Sequence, residues 1–177
     1  DALSSSMRHE RVIFAKGSQT GGTECGNNWI GYVIHQAPGP MLSVTPTVDL
    51  AKRASKQRID PLIEECAALR ERVAPARERD SNNSVLSKSF AGGLLVMTGA
   101  NSAVGLRSMP ARYLFLDEVD AYPASADDEG DPVWLAMRAT RTFQRRKVFM
   151  VSTPLIGGSS RIERELEACD QKWIYHV

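Results

Sequence analysis

The 177-residue sequence predicts one α/β domain built on a mostly parallel central sheet flanked by helices. Three observations carry that expectation. Runs such as Tyr113-Leu114-Phe115-Leu116 and Val148-Phe149-Met150-Val151 are apolar throughout, the mark of strands covered on both faces. Segments of helical periodicity lie between the runs. The length, with 42% hydrophobic residues, is enough for a single substantial core.

The elements follow in order. Val12 to Ala15 is a short apolar strand ending at the glycine-rich turn Gly17-Ser18-Gln19-Thr20-Gly21-Gly22. Helical periodicity runs from about Glu24 to His35 and is closed by Pro38-Gly39-Pro40. Met41 to Thr45 is a second strand, after which Thr47 can cap a helix, and Ile59 to Leu69 continues as an amphipathic segment. Residues 70–84 are polar and charge-rich, a surface loop. Val85 to Phe90 and Leu94 to Thr98 flank Ala91-Gly92-Gly93, a hairpin signal. Arg112 to Leu116 reads as a buried strand, Val133 to Phe143 as a helix and Lys147 to Val151 as another buried strand. Ile162 to Ala168 is a last helix, and Trp173 to Val177 a short terminal strand.

Composition removes several function classes. No stretch approaches the ~20 apolar residues of a membrane span. Cys25, Cys66 and Cys169 are too few and too scattered for a zinc site or a disulfide framework, and His9, His35 and His176 stand alone. With 22 basic and 21 acidic residues the net charge is +1, so any nucleic-acid contact depends on how the basic residues cluster. The first residue is Asp1 rather than Met, as in a chain that begins inside a longer protein.

Three segments carry chemistry. Lys16 to Thr23 (KGSQTGGT) lies between a strand and a helix, where backbone amides can wrap phosphates. Against the pattern G-x-x-x-x-G-K-[ST], Gly21 and Thr23 fall at the glycine and hydroxyl positions, Gly22 replaces the lysine, and Lys16 occupies the first glycine's place. The positive charge has moved to the front of the loop. By itself the loop fits an ordinary strand-to-helix turn equally well. Asp117-Glu118 ends an apolar strand at the edge where open α/β sheets bind ligands. Asp117 suits a Mg²⁺ ion, and Glu118 suits activation of a water. Ser152-Thr153 ends another buried strand and places hydroxyls where a γ-phosphate would sit. The three in this order describe an ATP hydrolysis site.

The residues also resemble a known family, the large subunit of lambda-type bacteriophage terminases. The likeness runs through KGSQTGGTE, the segment from Asn28 to Ile63, GANSAVGLRSMPARYLFLDEVDAYP and VFMVSTP, nearly the whole chain, and a front-of-loop lysine is itself a feature of that family. The resemblance implies a RecA-like P-loop ATPase of the additional-strand, catalytic-glutamate type, with ATP and Mg²⁺ as cofactors. Residues 16–23 and Ser152-Thr153 would then contact nucleotide, Thr23 and Asp117 the metal, and Glu118 would be the catalytic acid. Arg107 is the candidate for the charge-stabilising arginine, acting in cis or on a neighbour. Thr45-Pro46-Thr47 matches a helicase-type motif. The implied partners are double-stranded DNA, a terminase small subunit, the portal of the prohead, and further copies in a ring, in the cytoplasm of the infected host with no membrane contact. Residues 1–177 would be the ATPase domain alone, with an adenine-binding segment upstream and a nuclease domain downstream. A helicase-like translocase, or a nucleotide-binding assembly module without turnover, fits the same core.

Two basic clusters are candidates for DNA contact: Arg138, Arg141, Arg145, Arg146 and Lys147, and Lys52, Arg53, Lys56 and Arg58. The acidic run Asp127-Asp128-Glu129-Gly130-Asp131 does not match a calcium loop and reads as solvated. Trp29, Trp134 and Trp173 read as core or interface packing.

Overall fold

A computed structural model describes residues 2–74, 84–155 and 158–172. Its sheet has six strands: β1 (Arg11–Ala15), β2 (Met41–Thr45), β3 (Ser87–Phe90), β4 (Gly93–Gly99), β5 (Tyr113–Asp117) and β6 (Lys147–Ser152). They lie in the order β1-β6-β5-β2-β4-β3. Every pairing is parallel except the β3–β4 hairpin. The apolar runs read from sequence are therefore the sheet's central strands, buried along their whole length.

Strand alternation divides the core into two layers. On one face Phe149, Val151, Phe115, Tyr113 and Met41 meet Trp29, Ile30, Val33 and Ile34 of helix α1 (Gly22–His35). Trp29 meets Tyr113 and Phe149 edge-on at centroid distances of 5.9 and 6.0 Å. A Cβ at Gly26 would fall inside the Phe115 ring, so glycine is what lets α1 lie this close to β5. On the other face Val148, Met150, Leu114 and Leu116 pack beneath helices α5 (Ala103–Leu106), α6 (Pro132–Ala139) and α7 (Arg161–Glu167).

Thr47 caps α2 (Val48–Ala54) as expected, its hydroxyl accepting from the Leu50 amide at 3.2 Å. The expected amphipathic helix beyond it is broken. Ser55–Ile59 forms a π-helical turn just ahead of Pro61, which has no N–H to donate and whose ring crowds the preceding turn. Cys66 is extended and separates α3 (Asp60–Glu65) from α4 (Ala67–Arg70). The helix expected to reach Phe143 stops at Ala139. The Ala111 amide takes the Ala139 carbonyl at 2.9 Å, and the Thr140 hydroxyl takes that of Met137 at 2.8 Å. Residues 75–83 of the expected loop and the expected strand Trp173 to Val177 lie outside the described residues.

One other expectation changes, that for Lys147, while the tryptophans divide. Lys147 is buried, donating to the carbonyls of Ala2 (2.9 Å) and Met7 (3.3 Å), so it belongs to no solvent-facing basic run. Trp134 is 52% exposed, whereas Trp29 is in the core.

Candidate nucleotide site

β1, β6 and β5 are neighbours, and all three motifs leave the same sheet edge. Ala15 pairs with Ser152, and Val151 with Asp117. The Lys16 amide donates to the Ser152 carbonyl at 3.0 Å, extending the β1–β6 ladder by one step into the loop. Topology alone thus brings Lys16, Thr153 and Glu118 together.

The Lys16 ammonium donates to Glu118 Oε1 at 3.0 Å and to Thr153 Oγ1 at 3.2 Å. Its side chain is only 6% exposed. To arrive there it crosses Gly22, where a Cβ would come within 2.5 Å of Lys16 Cδ and 2.7 Å of Val151 Cγ1. The two departures from the common loop pattern are therefore one feature. Lysine at the front requires no side chain at position 22.

Beyond Lys16 the loop is open. Residues 17–21 are exposed, and Gly21, at φ 80°, has nothing within 4 Å of a Cβ position. No described side chain caps α1, and the uncapped amides of a helix N-terminus favour anions. Thr23 donates its hydroxyl to both oxygens of Asp117, at 3.2 and 3.0 Å. Asp117 is buried, and that burial pushes its carboxyl from an ordinary 3.8 up to about 6, with the Thr23 hydrogen bond opposing the shift. A buried carboxylate whose described side-chain partner is a hydroxyl is a hard oxygen pair suited to Mg²⁺. Glu118 sits in left-handed backbone geometry (φ 54°, ψ 52°), which turns its side chain out of the strand register toward Lys16.

Ser152 is not brought to the loop. It is fully buried, and its hydroxyl accepts from the Asp120 amide at 3.1 Å. It ties the end of β6 to the segment carrying Glu118, while Thr153 meets the lysine. Arg107 is held elsewhere, by Glu129 at 2.5 Å and by the Ala103 carbonyl at 3.3 Å. Within this chain it is not gathered with Lys16, Asp117 and Glu118.

Sequence reasoning missed two supports. Asp120 accepts from the Ser160 hydroxyl at 2.8 Å, the Ile162 amide at 3.2 Å and the Arg161 amide, fastening α7 beneath Glu118. Ser160 also caps α7 through the Glu163 amide, and that S-x-x-E spacing was the available signal. The acidic run is the second, and it is not merely solvated. Asp127 accepts from the Ala103 amide at 2.9 Å, Glu129 holds Arg107, and Asp131 caps α6 through Trp134 N while pairing with Arg161 at 3.2 Å. No described group of residues there, or elsewhere, has the makeup of a metal cluster.

A mostly parallel sheet with a lysine-bearing loop, paired acids and a hydroxyl pair at one edge defines a P-loop NTPase core of the RecA-like kind. The comparisons narrow that class. The chain belongs to the phage terminase large subunit gpA ATPase-domain family, whose sequence profile matches residues 1–177. Among solved structures it is similar to the large terminase ATPase domain of Thermus phage P74-26 (18% identity, TM-score 0.61, covering 85% of this chain and 62% of that one). It is also similar to the bacteriophage HK97 large terminase (10%, TM-score 0.73, 92% and 33%). A third likeness is to the large terminase of a thermophilic bacteriophage in complex with ADP (13%, TM-score 0.58, 86% and 37%). The chain thus spans about three-fifths of the first of these and about a third of the others. No curated protein sequence matches it.

Proposed function

We propose that this domain is the ATP-hydrolysing motor of a phage terminase large subunit, driving double-stranded DNA into a prohead. The observation that carries the reading is the Lys16 ammonium bridging Glu118 and Thr153 beside the Thr23–Asp117 pair. Lys16 and the amides of Gly17 to Gly22 hold the phosphates of ATP. Thr23 and Asp117 hold Mg²⁺, which when bound neutralises phosphate charge. Glu118 takes the proton of the attacking water. At rest its carboxylate is tied to Lys16; an anion in the loop competes for that ammonium and frees Oε1 to act as base. The Ser152–Asp120 link carries the change at this site to α7.

Arg107, bound to Glu129 in its own chain, serves a neighbouring subunit of a homo-oligomeric ring. The terminase small subunit, the portal and the host cytoplasm complete the setting. No helix among the described residues is long and apolar enough to cross a membrane.

The direct test is Glu118→Gln. Loss of hydrolysis, about a hundredfold or more for a general base, with nucleotide binding retained supports the reading. Hydrolysis at the wild-type rate refutes it.

A further inference from the structure

On the sheet face away from α1, a cleft of about 430 Å³ runs between α6 and α7. Trp134 and five arginines, Arg11, Arg141, Arg146, Arg161 and Arg164, line it. Three of the arginines have carboxylate partners: Arg11 pairs with Glu165 (3.0 Å), Arg146 with Glu10 (2.7 Å) and Arg161 with Asp131 (3.2 Å). Arg141 and Arg164 have none among the described residues, nor does Arg138 at the rim. Arg138 and Arg141 lie over the exposed Trp134 ring, 4.8 and 6.0 Å from its centroid. The aromatic face holds two guanidinium planes in place with no acid to neutralise them. In the other basic cluster Lys52 is paired with Asp49 and Arg58 with Glu24; Arg53 and Lys56 have no ion pair among the described residues, but no aromatic ring orders them as Trp134 orders Arg138 and Arg141.

The geometry points to this cleft as the domain's contact for the phosphate backbone of duplex DNA. The inference rests on the packaging-motor reading and deepens it by choosing between the two basic clusters. Guanidiniums without a described acid partner, presented from α6, the turn after it and α7, suit phosphate oxygens, which they bind in bidentate fashion. The placement also suits a motor. Val119, the residue after Glu118, is at the floor of the cleft, and Asp120 anchors the α7 wall. A load on α7 is therefore felt one residue from the catalytic carboxylate.

The test is binding of a short fluorescent duplex to the chain across a salt series. Replacing Arg138, Arg141 and Arg164 together by Ala should lower affinity at least about tenfold at ~0.1 M salt, and should make the slope of log affinity against log salt shallower by about 2.7, at ~0.9 per lost phosphate contact. Arg→Lys at the same three positions should keep most of the slope. Arg141→Glu, a single change at an exposed position, should weaken binding at least threefold (a factor of about 3, under 1 kcal/mol) and decides the matter if the triple variant does not fold. An unchanged slope in these variants, or a wild-type chain that binds no duplex, overturns the inference. So does a polyglutamate peptide that binds through these arginines where the duplex does not. If the wild type binds ATP while the cleft variants bind duplex normally, the cleft falls and the ATPase reading stands. If the wild type binds no ATP, that reading itself has failed.

Discussion

Among the described residues, two strained, glycine-containing loops, 16–23 and 127–131, are built in opposite ways. Each holds non-glycine residues at positive φ: Gln19 at 59° in one, Asp127 at 45° and Asp128 at 61° in the other. In the acidic loop three side chains already have protein partners: an amide of α5, Arg107, the first turn of α6 and Arg161. In the loop of residues 16–23, residues 17–21 are exposed, α1 has no side-chain cap, and one charged side chain, Lys16, is held by Glu118 and Thr153. Backbone strain is common to both and so does not mark a binding site. What distinguishes the proposed nucleotide loop is polar capacity that the fold leaves unused.

The largest way to break the contrast is Gly22→Val. Its side chain would collide with Lys16 and with Val151, displacing the lysine. ATP binding should be lost, with a stability cost of about 1–3 kcal/mol from overpacking. Calorimetric titration and a thermal melt read both. Next is Asp117→Asn. The folded carboxyl, raised to about 6, keeps its proton where the unfolded one has lost it, so stability falls as pH rises from about 4 to about 6 and stays lower above that. Asparagine removes this penalty. The variant should match wild type near pH 4 and exceed it at pH 8 by about 1–3 kcal/mol, while losing Mg²⁺-dependent nucleotide binding. A melting series across pH checks the sign.

The smallest effect is expected in the acidic loop. Asp131→Ala removes the cap of α6 and one of the partners of Arg161, which keeps the carbonyls of Tyr122 and Pro123. It should cost about 1 kcal/mol and leave ATP affinity unchanged. A change in affinity as large as that of Gly22→Val would erase the distinction between the loops.

The same contrast explains what the sequence made legible. Unbroken apolar runs announced β5 and β6, the shorter run Met41 to Thr45 announced β2, and the residues at the ends of β1, β5 and β6 announced the candidate site, because these signals are local. The Thr47 cap was also a local pattern; the S-x-x-E at Ser160 was one too, but its role came only with the structure. The stop of α6 at Ala139 depends on the Ala111 amide, and the roles of Asp127 and Glu129 depend on Ala103 and Arg107. Such partners are fixed only by the packed sheet. Which tryptophan is core is fixed in the same way: Trp134 is exposed, with two arginines, on its own helix and the turn beyond it, lying over its ring. The exchange between Lys16 and Gly22 could be read as an oddity of pattern, but its steric cause required Val151 of β6.

In the proposed function Lys16, reaching back over Gly22, is the cation of the nucleotide site. Titrating ATP with Mg²⁺ into the wild-type chain and into Lys16→Ala tests it most directly. Binding to the wild type is expected, with a loss of roughly tenfold or more in the variant, since a hydrogen bond to a charged group contributes about 1.5–3 kcal/mol. Equal affinity in the two proteins would contradict it.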